Sequence, residues 1–226
     1  METATPFSYQ CGRCTLCCLH TQIRVNPYEI LCLARNRKTN TTEFLRRYTD
    51  AGGVLLRRRH DGACIFLTED GCGVYEDRPL SCRAYPLARN IDAEGVEIYS
   101  NAEQDSGSTG QHGREGTIES YLQQQGAVPY LKAADLYLGL FRKMIYILNQ
   151  GMVTTADEER WDVAGASDAP EALATPEPSW LDIDAVVGWH CSELDIEMPD
   201  EPFQLVQLHI ELLSNWSKHI ITEKSV

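Results

Sequence analysis

The chain has 226 residues, which is enough for one well-buried domain or for a domain with a helical extension, so it does not need disulfides to fold. Its net charge of −13 is uneven, because residues 1–90 hold 13 Lys and Arg against 9 Asp and Glu, whereas residues 91–226 hold 7 against 24. The acidic half would repel phosphate, which argues against nucleic acid as a partner.

Targeting signals are not recognisable in the sequence. Residues 1–10 lack a basic region followed by an apolar core, so we expect no signal peptide. The most apolar run, residues 131–153, includes four charged side chains and predicts a buried amphipathic helix, with no membrane association. We therefore expect a cytoplasmic protein, in which clustered cysteines are metal ligands or redox groups more often than disulfides.

The first predicted elements follow a cysteine-rich loop. Residues 21–25 form a short predicted strand. Asn26, Pro27 and Glu29 have the spacing of a capping box that opens a helix, and this helix would bury its apolar face. A second helix is predicted over residues 42–50, ended by Gly52 and the glycine after it.

Short strands and turns fill the next part of the chain. Residues 54–56 and 63–67 predict strands, and Asp70 with Gly71 predicts a turn. Residues 87–99 predict a hairpin that turns at residues 93–95. Residues 103–116 are rich in Gly and Ser, and we expect a mobile loop there.

The remainder is predicted to be mainly helical. The expected helices span residues 118–125, 132–150, 181–191 and 203–221. The side chains expected on their inner faces are Leu136, Leu140, Lys143 or Met144, and Ile147 on the long helix, and Val206, Leu213, Trp216 and Ile220 on the last one. Residues 154–178 are acidic and rich in Ala and Pro, which is typical of a linker.

These elements predict an α+β protein. A small cysteine-rich metal-binding core with short strands would be wrapped and extended by a mainly α-helical C-terminal half. The predicted organisation is a cysteine-cluster domain with packed helices over 1–153, an acidic linker or surface loop over 154–179, and a C-terminal helical extension over 180–226.

The cysteines carry the strongest chemical signal. Four of the nine lie within residues 11–18, and three of these, Cys11, Cys14 and Cys17, share the spacing with which bacterial ferredoxins hold a [4Fe–4S] cluster. The fourth ligand would come from Cys64, Cys72 or Cys82. The sequence departs from the ferredoxin run, because Pro86 follows Cys82 by four residues.

Several alternatives remain open for these cysteines. Zinc is the main competitor, although its four-sulfur sites usually combine two short knuckles and only the first is well formed here. Seven cysteines exceed one four-ligand centre, so two ions with a sulfur of Cys17 or Cys18 as a bridge are also considered. Cys18 is otherwise a spare thiol, or a nucleophile paired with His20.

Other cysteines and the histidines have ordinary interpretations. Cys32 and Cys191 are isolated on predicted helices and are interpreted as core residues. The remaining histidines lack ligand spacing with the cysteines; they are His60, His112, His190, His209 and His219.

Two arginines are candidate cofactor-binding residues. Arg78 and Arg83 lie close to Cys82 in sequence, and their guanidinium groups would offset the negative charge of metal-bound thiolates. The alternative is that Arg78 pairs with Glu76, Asp77 or a helix end.

Taken together, the motifs resemble those of a known family. The C-x2-C-x2-C-C run at residues 11–18, Cys64 with the Ile-Phe-Leu that follows it, and the segment CGVYEDRPLSCRAYP at residues 72–86 are similar to the YkgJ-type cysteine-cluster family, the CxxCxxCC group of zinc- or iron-chelating domains. The flagellin lysine-N-methylases look like larger relatives with the same cysteine signature and an iron–sulfur centre.

The resemblance implies a bacterial or archaeal cytosolic metalloprotein. The metal ligands that it implies are Cys11, Cys14, Cys17, Cys18, Cys64, Cys72 and Cys82. Many relatives have a further cysteine where this chain reads Gln104-Asp105-Ser106-Gly107, so a second metal is in doubt.

The leading hypothesis is a cytoplasmic protein that holds an iron–sulfur cluster, with [4Fe–4S] favoured over zinc, in a redox, sensing or accessory role. One alternative is a protein-modifying enzyme similar to a lysine N-methyltransferase, although the sequence has no Gly-rich loop for S-adenosylmethionine. The other is a structural zinc module whose acidic helical half binds a protein partner.

Overall fold

The structure is a computed structural model, and it describes residues 1–92, 94–102, 106–151 and 179–223. Side chains are not described for His20, for residues 146–151 or for residues 218–223. The predicted linker at residues 154–178 lies outside the described residues, and so do Gln104 and Asp105.

Eight α-helices occur in the described part of the chain, and most begin at a recognisable cap. They are α1 (Leu16–His20), α2 (Pro27–Asn36), α3 (Thr41–Tyr48), α4 (Leu80–Ala84), α5 (Ile118–Gln124), α6 (Val128–Gly151), α7 (Ile183–Leu194) and α8 (Pro202–Glu223). The predicted capping box of α2 is confirmed: the side chain of Asn26 accepts a hydrogen bond from the Glu29 N–H, and the carboxylate of Glu29 accepts one from the Asn26 N–H.

Short antiparallel pairs provide the β structure of the described residues. The strands are β1 (Pro6–Gln10), β2 (Thr49–Asp50), β3 (Leu55–Leu56), β4 (Leu67–Thr68), β5 (Gly71–Cys72), β6 (Leu87–Ile91), β7 (Glu97–Asn101) and β8 (Gln111–Thr117). They form four two-stranded sheets that pair β1 with β8, β2 with β3, β4 with β5 and β6 with β7. The predicted hairpin over residues 87–99 is confirmed as β6 and β7. The fold class, α+β with a helical C-terminal part, is confirmed as well.

The expectation of a mobile loop over residues 103–116 is wrong for its second part. Residues 111–117 are strand β8, which pairs with β1 in the register Tyr9 to His112. Strand β8 contains two glycines and no large apolar residue, so its sequence lacks the alternation that identifies a strand. In β1 the alternation is present, because Phe7 and Tyr9 are buried.

The long helices pack into one apolar cluster. Helices α6, α7 and α8 bury Tyr137, Val187 and Leu205 against each other and against α2. Two predicted inner positions are wrong: Leu136 is 37% exposed and Trp216 is 54% exposed. Helix α6 instead buries the positions next to Leu136 in the helical repeat, Ala133 and Tyr137. No helix in the described ranges combines the length and the apolar character that crossing a lipid bilayer requires.

A second apolar cluster lies under the cysteines. Ile30, Leu33 and Ala34 of α2 pack there with Phe44 and Phe66, and three half-buried cysteines contact this cluster, namely Cys64, Cys72 and Cys82. Helix α2 therefore contributes to both clusters, with Tyr28 and Leu31 facing the long helices. The boundaries predicted at residues 153 and 179 remain predictions.

Candidate metal centre

Five cysteine side chains line one small cavity. The cavity has a volume of about 40 Å³, and its cysteines are Cys17, Cys18, Cys64, Cys72 and Cys82. Ile23, Phe66 and Val74 complete an otherwise largely apolar wall. Residues that are up to 65 positions apart in the sequence are thus brought together around the same space.

Four separate segments deliver these five thiols. Cys17 and Cys18 lie on the single-turn helix α1. The backbone N–H of Cys64 donates to the carbonyl of Cys18 at 2.8 Å, which fixes the third thiol beside this helix. Cys72 comes from the tight β4–β5 hairpin, and Cys82 comes from α4.

A larger chamber adjoins the cavity on its outer side. Its volume is about 310 Å³, and it shares four of the five cysteines, all except Cys64. Cys11, which is exposed, lines this chamber together with Tyr75 and Gln125. Cys64 thus lines only the small cavity, Cys11 lines only the chamber, and the other four cysteines line both.

The loop from Cys11 to Cys14 is a tight knuckle. Arg13 and Thr15 have left-handed backbones, with φ of 54° and 63°, and the Arg13 N–H points at the sulfur of Cys11 at 3.4 Å. An added Cβ on Gly12 would lie 2.1 Å from Oγ1 of Thr109, so only glycine allows Thr109 to approach this closely.

Cys14 lies beside Thr109 and lines neither the cavity nor the chamber. Hydrogen bonds from the backbone of Thr109 and Leu16 lower the pKa of its thiol. Six of the seven cysteines predicted as ligands thus line the two spaces, and the seventh packs next to them.

The buried thiols have shifted acidities. Burial raises the pKa of Cys64, Cys72 and Cys82. The thiol of Cys18 donates a hydrogen bond to the sulfur of Cys17, which lowers the pKa of Cys17 and raises that of Cys18. Without a positive ion most of these thiols therefore stay neutral at pH 7, and a metal that binds them has to displace protons.

The thiols are close to each other, but their sulfur atoms do not converge on a common position for a metal ion. Within the described ranges, no three Cys, His, Asp or Glu side chains lie at positions that would already hold a metal ion. Each cysteine has a single side-chain torsion, and rotation about it moves the sulfur without moving the backbone. The donor set therefore fits a thiophilic metal in its chemistry, and coordination requires the thiol groups to turn inward.

Arg78 is buried next to the thiols. It is 8% exposed, lines both spaces and stacks over the ring of Tyr75 at 4.0 Å. Its Nη1 donates to the Tyr75 carbonyl at 2.6 Å, and its Nη2 donates to Oε1 of Gln125 at 2.9 Å. Among the described residues no carboxylate forms an ion pair with it, so of the predicted alternatives the pairing with Glu76 or Asp77 is wrong, whereas the bond to Tyr75 is made to the short 3₁₀ helix Tyr75–Asp77.

Arg83 has a different environment. It lines neither space, and its guanidinium lies 4.1 Å from the ring centre of Tyr130. It donates to the carbonyls of Arg78 and Gln125, both at 2.9 Å. Arg83 thus fixes the backbone around Arg78.

The residues set aside in the sequence lie away from the thiols. Cys191 is buried in the cluster of long helices, and Cys32 contacts the same cluster, so their interpretation as core residues is confirmed. The side chain of His20 is not described, and its pairing with a cysteine stays a prediction. Tyr75, Tyr85 and Gln125 line the outer chamber but were not predicted as site residues, since uncharged side chains carry no ligand signal of their own.

Comparison with known proteins identifies the cysteine-rich part. Residues 10–107 match the CxxCxxCC family, described as a putative zinc- or iron-chelating domain. This match confirms the resemblance found in the sequence over these residues. No curated protein and no solved structure matches the chain.

Proposed function

We propose that this protein binds a metal cofactor through its N-terminal cysteine thiolates, with a [4Fe–4S] cluster as the first candidate, in a redox, sensing or accessory role. The observation that carries the proposal is the convergence of five thiols from four chain segments on one cavity. The proposed ligands come from the set Cys11, Cys14, Cys17, Cys18, Cys64, Cys72 and Cys82.

Packing alone does not account for such a cluster. A buried cysteine behaves as a small apolar side chain, and Val or Ala fills the same volume without a reactive thiol. Thiolates are soft ligands, and zinc sites and iron–sulfur clusters in proteins use them. Because burial raises the pKa of three of these thiols, a bound cation provides the free energy that deprotonates them.

Arg78 supports the proposal through its charge. A buried guanidinium without a carboxylate partner is costly unless another negative group offsets it. Thiolates around a metal leave a net negative centre, and the charge of Arg78 already acts on the thiol of Cys72, where it partly opposes the effect of burial on the pKa. In this proposal Arg78 balances the charge of the centre.

A cluster and a single zinc ion are favoured by different observations. The C-x2-C-x2-C spacing favours a [4Fe–4S] cluster, and so does the 310 Å³ chamber, whose five cysteines include Cys11 and Cys17 of that run, with Cys14 outside its lining. The inner cavity of about 40 Å³ favours one ion, which makes zinc the second candidate. The cofactor supplies either electron transfer or a rigid crosslink, according to which of the two is bound.

Anaerobic purification with metal analysis, sulfide analysis and visible absorption tests the proposal. We expect a coloured protein that contains iron and acid-labile sulfide. A colourless protein with stoichiometric zinc would contradict the cluster and support the second candidate. A folded protein without metal would contradict both.

Serine variants test the assignment of ligands. C82S removes a buried thiol shared by both spaces, and we expect the metal affinity to fall by about 100-fold or more. C32S is the matched control, since Cys32 is also half-buried but lies on α2 outside both spaces. Equal metal contents of the two variants would exclude Cys82 from the centre.

A further inference from the structure

The buried carboxylate of Glu29 connects two helices. Glu29 is 4% exposed and belongs to the first turn of α2. Its Oε2 accepts the N–H of Asn26 at 2.8 Å, which caps its own helix, and its Oε1 accepts the N–H of Leu80 at 2.7 Å. Leu80 is the first residue of α4, the helix that carries Cys82.

Helix α4 has no cap of its own. Its N-cap residue is Pro79, which has no side-chain acceptor, and no side chain caps the helix from that position. The carboxylate of Glu29 supplies the missing acceptor from another element. In this helix of five residues the bond holds the first residue, while the hydrogen bonds of Arg83 hold the end.

Glu29 and α4 also attract each other through charge. Burial raises the pKa of Glu29 to about 7, and the two N–H donors and the positive charge of Arg83 oppose this shift. Arg83 is one residue after Cys82 on the same helix. The carboxylate is thus linked to α4 by a hydrogen bond at its first residue and by electrostatic attraction near its last.

Helix α2 provides a firm base for this link. Tyr28 and Leu31 pack in the cluster of long helices, while Ile30 and Leu33 pack in the cluster under the cysteines. Of these four residues the most exposed is Tyr28 at 6%. The side chain between them in the sequence, Glu29, therefore extends from a well-packed helix to the five-residue helix α4.

We propose that Glu29 is a positioning residue for the metal centre, which holds α4 on α2 so that the thiol of Cys82 faces the other thiols. This inference rests on the proposed metal-binding function and adds a residue to it that is not itself a ligand. Loss of the carboxylate leaves the Leu80 N–H without its acceptor, so that the first turn of α4, which carries Cys82, can shift although Arg83 still holds the end of the helix. An amide cannot replace the carboxylate, because its single oxygen accepts from one N–H while its NH₂ group faces the other.

The test compares E29Q with N26A in cobalt(II) titrations of anaerobically prepared apoprotein. Cobalt(II) is the probe because its absorption reports the number of thiolate ligands. N26A is a matched control: it removes the side chain that accepts from the Glu29 N–H at 3.1 Å, while the Asn26 backbone N–H and the bond to Leu80 remain.

For E29Q we expect an affinity at least about tenfold below that of the wild type and a thiolate-to-cobalt absorption band lowered by one ligand. For N26A we expect the affinity and the spectrum of the wild type, even though its helix α2 is less stable. An E29Q variant with wild-type affinity and spectrum would overturn the inference. A loss in N26A equal to that in E29Q would do the same, because the effect would then come from stability alone.

A double variant separates Glu29 from the ligands. If Glu29 acts through Cys82, E29Q causes no further loss of affinity in a C82S background, whereas an additional loss would overturn the inference. Should E29Q not fold, E29D provides the same comparison, since it keeps the charge but lacks the reach to accept both N–H groups. A wild-type protein that binds no cobalt would overturn the proposed function itself, which distinguishes that failure from a failure of the role of Glu29.

Discussion

The cysteine region and the long-helix region of this protein are built in different ways. Helices α6, α7 and α8 are 24, 12 and 22 residues long, and they bury apolar side chains against each other. Around the cysteines, strands β2 to β5 have two residues each and helices α1 and α4 have five. The long helices form many internal hydrogen bonds, whereas the short elements of the cysteine region form few and pack on an apolar cluster that they share with α2 and α3.

This difference indicates where each region obtains its stability. Long amphipathic helices are stabilised by the burial of their apolar faces. Two-residue ladders and single helical turns are marginal by themselves. In the cysteine region a bound metal would therefore provide folding free energy, while the long helices do not need it.

Metal removal has the largest expected effect on this contrast. After anaerobic chelation we expect the backbone amides of residues 11–20 and 63–86 to lose most of their protection from hydrogen exchange, because structural metal sites contribute on the order of 10 kcal/mol. Amides of α6 and α8 should change much less. Hydrogen-exchange mass spectrometry measures both in one sample, and equal loss in the two regions would show that they unfold as one unit.

A core substitution in the long helices tests the contrast from the other side. Leu205 is 1% exposed in the helical cluster, so L205A should lower the free energy of unfolding by about 2–5 kcal/mol through the cavity it leaves. Metal content should stay at the wild-type value, because Leu205 does not belong to the apolar cluster under the cysteines. Urea denaturation with parallel metal analysis checks both, and a metal loss in proportion to the stability loss would contradict the separation.

In both regions the sequence predicts local structure well where a side chain caps a helix or where apolar and polar residues alternate along a strand. The capping box of α2 and the hairpin of β6 and β7 depend on neighbours in the sequence, and both predictions are confirmed. The pairing of β1 with β8 was not predicted, because it joins residues about 100 positions apart and one partner lacks an apolar pattern.

The cysteine site was predictable in its members but not in its arrangement. Spacing identified residues 11–18, and the family resemblance extended the set to Cys64, Cys72 and Cys82. The division of the cysteines between the two spaces, the separate position of Cys14 and the contact between Glu29 and Leu80 depend on tertiary packing. The predicted burial of Leu136 and Trp216 is wrong for a related reason. An apolar stripe along a helix does not specify which of its residues contact a neighbouring helix and which stay at the solvent-exposed edge.

A buried histidine makes the long-helix region sensitive to acid. His209 is completely buried, its Nδ1 is 2.9 Å from the hydroxyl of Tyr137, and burial lowers its pKa from 6.5 to about 4, with the charge of Asp182 as an opposing influence. Between these pH values the unfolded chain binds a proton that the folded chain does not. The free energy of unfolding should therefore fall as the pH is lowered from 6.5 to 4, by roughly 1.4 kcal/mol per pH unit at most.

The control for this pH effect is H209Q, which keeps a polar group near Tyr137 but does not titrate. Glu29 titrates in the same range with the opposite sign, because its raised pKa gives the folded chain more protons than the unfolded chain between pH 4.5 and about 7. This contribution is present in both proteins and cancels in their difference. Urea denaturation from pH 4 to 7 should show the extra acid sensitivity in the wild type only, and parallel curves would contradict the assignment to His209.

The smallest expected effect concerns the surface of α3, which lies between the two regions. Glu43 contacts Arg46 at 2.7 Å and also contacts Arg47, and both arginine side chains are exposed. Exposed ion pairs contribute little to stability, so E43Q should leave the melting temperature and the metal content unchanged. N40A is the informative partner, because Asn40 caps α3 through a 2.8 Å bond to the Glu43 N–H, and its loss should cost about 1 kcal/mol. If E43Q were as destabilising as N40A, surface charge would have to be added to apolar burial and metal binding as a source of stability in this protein.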